Sequence, residues 1–225
     1  MASLRYALLA DGNSDAALMP ILTWALRESG LQIAINPMYP DRRSLKRAST
    51  LENRIRRTIR YYPCDVLFIH RDAEKAPIVM RLEEIRDAMN ETGISVPFIC
   101  VIPVRMQEAW LIFDESAIRK AAGNPNGIHP LPLPEINRVE SIPDPKALLH
   151  DVLKTACGLS GRRLKKFNVR QAARRISEFI DDFSPLRNLT AFNVFEKELN
   201  QIVQEHFIEG MDASIPGRKI KSRSS

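Results

Sequence analysis

Apolar residues in this chain follow two rhythms. Short apolar stretches at residues 5–10 (RYALLA) and 31–35 read as strands, and those at 65–69 (DVLFI) and 96–102 (VPFICVI) have the β-branched and aromatic content of buried ones, the former covered on both faces. Between them the spacing is helical. Leu18, Ile21, Leu22 and Ala25 recur after Ser14, the expected N-cap, and stop at Gly30. Leu51, Ile55, Ile59 and Tyr62 line one face of residues 50–62, and Ile78, Leu82, Ile85 and Met89 follow Pro77 until Gly93. Strand and helix alternating in this way predict an α/β fold. It is a Rossmann-like parallel sheet of about four strands, with helices on both faces.

Past Glu108 the rhythm changes. Residues 107–121 read as one helix and residues 123–143 as a Pro- and Gly-containing connector. Three helices are expected after that. The first is capped by Asp144 and Pro145 and stopped by Gly158, the second spans 169–182, and the third 191–207. The predicted organisation is an α/β domain at 1–122, the connector, a C-terminal helical region at 144–209, and a basic tail at 210–225 that reads as disordered.

Composition narrows the class. No apolar run approaches the roughly 20 residues of a membrane span, and residues 1–10 lead straight into a strand, so the cytoplasm is the expected compartment. Cys64, Cys100 and Cys157 are too scattered for a disulfide framework, and core packing is expected for Cys64 and Cys100, which border or lie in apolar runs. The net charge of +6 is clustered. Residues 42–60 hold eight Lys or Arg and one acid, and residues 152–177 hold eight more and no acid. Arg218, Lys219, Lys221 and Arg223 lie in the tail. Such clustering fits a polyanion, nucleic acid above all, although a solvated helix face or an acidic protein partner also accounts for it.

Candidate chemistry is sought where open parallel sheets place it, beyond the carboxyl ends of the strands. The first strand ends at Asp11, with Asp15 one turn on; the third ends in His70-Arg71-Asp72-Ala73-Glu74; the fourth runs through Arg105 to Glu108. Carboxylates gathered at one sheet edge resist ionising together unless a cation neutralises them, and Mg2+ or Mn2+ suits such oxygen donors. Blander readings stand beside this one. Asp11-Gly12 also reads as a turn, Asp15 as a charge favoured at a helix N-terminus, Glu108 as a helix start, and His70 as a strand-end hydrogen-bonding residue. Phosphate-loop, dinucleotide and serine-hydrolase motifs are missing from the sequence.

LLADGNSDAALMPIL resembles the first motif of Toprim domains and VLFIHRDAEK their second, and IPVRMQEAWLIFDESAIRKAAGNPNG resembles a bacterial family of Toprim-like proteins. The motifs themselves cover Leu8 to Asp15 and Val66 to Glu74. The resemblance implies a Mg2+-dependent nuclease in which Asp11, Asp72 and Glu74 are catalytic and hold the metal, and the strand-end position of Glu108 adds it to the expected metal ligands. Arg71, Arg105, Arg162, Arg163, Lys165 and Lys166 would then follow the nucleic-acid backbone. It also implies an effector of bacterial anti-phage defence working with an ATPase partner, and is compatible with a homodimer. Two positions depart from the family. Asp11 stands where Toprim enzymes carry Glu, and Glu74 stands where they carry the second Asp of DxD. These departures keep open a non-catalytic regulatory or sensor subunit. A phosphoacceptor domain is the third alternative, weakened by the lack of a Lys after a fifth strand.

Overall fold

The structure, a computed structural model, describes residues 3–41 and 50–208. Its centre is a parallel sheet of four strands, β1 (Ser3–Leu9), β2 (Ala34–Met38), β3 (Val66–His70) and β4 (Phe98–Val101), in the order β2-β1-β3-β4. The predicted α/β architecture is present. Eight α-helices are found among the described residues: α1 (Met19–Glu28), α2 (Leu51–Tyr61), α3 (Ile78–Thr92), α4 (Glu115–Ala121), α5 (Pro145–Ala156), α6 (Gly161–Lys166), α7 (Val169–Arg175) and α8 (Thr190–Val203). The basic residues Arg42, Arg43, Lys46 and Arg47 and the tail expected at 210–225 lie outside the described residues.

Topology decides which face each helix covers. The chain steps outward from β1 to β2, then reverses across β1 to β3 and continues to β4. Crossovers of one hand therefore send α1 to one face and α2 and α3 to the other. Side chains alternate accordingly. Ala7, Leu9, Leu67, Ile69 and Cys100 pack with Ile55 of α2 and with Ile85 and Met89 of α3. Tyr6, Leu8, Phe68, Ile99 and Val101 belong to the larger core on α1's side.

On that larger side α1 cannot also reach β4, and the C-terminal helices fill the gap. Phe195 of α8 lies 6.3 Å from Phe68, and Trp110 sits 5.2 Å from Phe192 and 5.8 Å from Phe195. Trp110 is fully buried, a position where truncation to Ala costs about 3–5 kcal/mol. The helical region is thus the second cover of the sheet and shares one core with it. Helix α8 also closes an edge. Glu198 Oε2 accepts the Cys100 N–H of β4 at 2.8 Å, and Arg86 of α3 approaches the other oxygen.

Several boundaries differ from the sequence reading. Strand β2 begins three residues later, at Ala34. The segment after β1 starts as a 3-10 turn, Asn13–Leu18, with Gly12 and not Ser14 in the N-cap position. Residues 107–121 are two elements, a 3-10 turn (Gln107–Leu111) and α4, because the Asp114 side chain accepts the Ala117 N–H and starts a new helix. Helix α7 gives way to a 3-10 turn at Ile176, and α6 was not anticipated. The three cysteines are free and buried, and core packing was the expectation for Cys64 and Cys100. No helix of the described residues is long and apolar enough to cross a membrane.

Candidate functional site

Strands β1 and β3 are neighbours whose following segments leave on opposite faces, so a crevice opens beyond their carboxyl ends. Into it the structure brings Asp15, His70, Asp72, Gln107 and Glu108. Asp15 is buried. Its Oδ2 accepts the Gly12 N–H at 2.8 Å, and its Oδ1 accepts the Ser14 hydroxyl at 2.9 Å and Gln107 Nε2 at 3.0 Å. Gly12 belongs to this arrangement by size, since a Cβ there would lie 3.2 Å from Ser14 Oγ and 3.3 Å from Asp15 Oδ1.

His70 ends β3 and is buried. Its Nδ1 donates to the Val101 carbonyl at 2.9 Å; because a carbonyl only accepts, that nitrogen carries the proton. The opposite nitrogen, Nε2, stands 3.4 Å from Asp72 Oδ1 and 3.9 Å from Asp15 Oδ2, placed to share a second proton with either acid. Asp72 Oδ1 also accepts the Gln107 N–H at 2.9 Å. Removal from water pushes the Asp72 carboxyl up to about 6; the charges of Asp15 and Glu108 add to this, while His70 and the Gln107 amide oppose it. Glu108 is buried and meets Lys146 Nζ at 3.2 Å.

The other expected site residues lie outside this group. Asp11 is held by two guanidiniums, those of Arg54 and of Arg71, the latter at 3.1 Å, and Arg71 continues to Glu84 at 2.8 Å. Glu74 is exposed and faces Arg81 at 3.7 Å. Glu74 and Arg105 both have positive φ, 54° and 63°, and the Glu74 N–H donates to the Arg105 carbonyl at 3.0 Å. The two strand ends are thus laced together through backbone that non-glycine residues seldom adopt. Arg162, Arg163, Lys165 and Lys166 are exposed on α6.

A cavity of about 480 Å³ shares Gln107 and Glu108 with the carboxylate group. Lys146 and His150 of α5 line its far side with Arg170 and Arg174 of α7. Burial first, then the charge of Lys146, hold the His150 imidazole below its usual range; Lys154 and Arg170 add to this and Glu108 opposes it.

Whether these residues suit a divalent cation is a question of donors and spacing. The donors suit it, since carboxylate oxygens surround Gln107, whose Oε1 is buried and unpaired. The spacing is open. Among the described residues no group of three His, Cys, Asp or Glu side chains is close enough to hold an ion. Mg2+ asks for less than that, because one or two protein carboxylates plus waters and substrate oxygens complete its shell.

The sequence reading placed Asp15 beside the gathered acids but favoured a helix-end charge for it, and assigned no role to Gln107, Lys146 or His150. For Asp15 the signal was there, in Gly12 three residues before an acid, the spacing that lets a carboxylate reach back to the turn amide. Comparison of the chain with protein-family models, with curated proteins and with solved structures finds no match.

Proposed function

We propose that the chain is a metal-dependent phosphodiesterase acting on nucleic acid, with Asp72 as its metal ligand and Asp15 and Glu108 as neighbouring charges. The observation that carries this reading is the Asp72 carboxyl, half-buried among two other acids and held up to about 6, a state that a bound cation relieves. Mg2+ or Mn2+, when bound, supplies an activated water and neutralises charge on the phosphoryl oxygens. Asp72 is the accessible ligand. Asp15 is oriented by the Gly12 amide, Ser14 and Gln107. His70 Nε2 is positioned to hold or pass a proton between them. Asp11, in its ion pairs with Arg54 and Arg71, braces the loop after β1 and keeps two cations at the rim of the crevice.

The Asp11 ion pairs also favour a second reading, a non-catalytic subunit that binds nucleic acid or a partner protein. Purified protein incubated with DNA, RNA or tRNA and Mg2+ or Mn2+ separates the two. The expected result is cleavage that is lost in Asp72→Asn and Asp15→Asn and retained, though weakened, in Asp11→Asn. Cleavage that persists unchanged in Asp72→Asn removes the proposed centre. Binding without cleavage under every metal, together with a stable complex on co-expression with an ATPase, favours the second reading.

A further inference from the structure

The cation-lined cavity has a regular construction that the proposed chemistry does not use. Lys146 and His150 are four residues apart on α5, and Arg170 and Arg174 are four apart on α7, so each helix turns one pair toward the same space. Arg170 and Arg174, like charges at this spacing, repel, so that pair is mildly unfavourable without a counter-ion. The charges present do not cancel it. Glu108 is matched by Lys146, and Asp144 Oδ1 is occupied as the cap of α5, accepting the Ala147 N–H at 2.8 Å. Arg170 and Arg174 form no ion pair among the described residues. Ala17, Leu111 and Ala173 supply an apolar floor.

The geometry points to a phosphate-binding pocket of nucleotide size, in which Arg170 and Arg174 grip a nucleoside monophosphate unit and the apolar floor receives its sugar or base. Guanidiniums match phosphate oxygens with paired hydrogen bonds, and two of them on one helix face present a fork to a tetrahedral anion. A volume of about 480 Å³ is within the range of small-ligand sites and suits one nucleotide better than a duplex. Gln107 and Glu108 belong both to the cavity and to the carboxylate group, so a nucleotide seated here would lie beside the proposed centre. This inference rests on that reading for the pocket's role in catalysis, and on the pocket alone for binding.

Titration calorimetry in EDTA separates the two, because no turnover occurs without metal. The probes are 5′-AMP, inorganic phosphate and adenosine. We expect 5′-AMP to bind, phosphate to compete with it, and adenosine to leave no measurable heat. The double variant Arg170→Ala/Arg174→Ala should weaken 5′-AMP by at least about tenfold, the loss of one charge-assisted contact or more. Both side chains are exposed and free of ion pairs, so an unchanged melting temperature is expected to accompany that loss. Arg138→Ala/Lys197→Ala, at exposed positions outside the cavity, should bind as the parent does. Adenosine binding as well as 5′-AMP, or equal losses in the two double variants, overturns the pocket. If 5′-AMP binds as expected while no nucleic acid is cleaved with metal, the phosphodiesterase reading fails and the pocket stands. If cleavage proceeds and Arg170→Ala/Arg174→Ala changes neither binding nor rate, the reverse holds.

Discussion

Replacing Asp72 by Asn is expected to make the protein more stable while removing the activity proposed for it. The reasoning starts from the proton. Folding moves the Asp72 carboxyl from its usual 3.8 to about 6. Between those values the folded state binds the proton more tightly than the unfolded chain does. The contribution to stability is therefore greatest in acid and falls as pH rises through that window. At about 1.4 kcal/mol for each pH unit, the full cost of the ionised group near neutrality is about 3 kcal/mol. Because 35% of the side chain meets solvent, screening cuts that to about 2 kcal/mol. Asn keeps the oxygen that accepts the Gln107 N–H and carries no charge, so only the electrostatic cost disappears. Urea unfolding in EDTA, followed by circular dichroism, should place Asp72→Asn above the parent by about 2 kcal/mol near pH 8 and level with it near pH 4. Mg2+ at about 100 times its dissociation constant should raise the parent by about 2.7 kcal/mol and leave the variant unmoved. A gap of equal size at both pH values, or a variant less stable near pH 8, would refute the electrostatic account.

Two further outcomes test how the site is supported. Glu198→Ala should destabilise the fold by about 1–2 kcal/mol in urea titrations, because the Cys100 N–H at the sheet edge loses its acceptor; Glu198→Gln, which keeps an oxygen, should recover most of this. Glu74→Gly and Arg105→Gly should each raise stability by about 1 kcal/mol, since glycine adopts their positive φ without steric cost; a loss of stability in either would mean that its side chain holds the rim together.

How much of this could be read beforehand depended on range. Strands β1, β3 and β4 were legible because each is a short, largely buried apolar run, and helices α2 and α3 because their apolar stripes keep a strict period. Stops were legible where a single residue imposes them, as at Gly93, with φ of 64°. Strand β2 was misplaced because its residues are largely exposed at an edge and leave a weak pattern. The break before α4 depended on one side chain, Asp114, choosing to cap and not to continue. Strand-end position pointed to Asp72 and Glu108, which the structure places beside the crevice. It could not tell which face of the loop each acid would take. Asp11 turns toward Arg54, which is 43 residues away, and Asp15 turns toward Gln107, which is 92 away. Pairings of that span are properties of the assembled sheet.

The closure of β4 by Glu198 bears on how copies of this chain could associate. The outer amide of one border strand is already occupied, and the opposite border, β2, carries Pro37, which has no N–H to offer. Neither border offers a full row of free amides, so a sheet running on from one copy into the next is disfavoured at both ends. Among the described residues, helices and loops offer a homodimer a better surface than either sheet border does. The same two features protect the sheet against templating fibres.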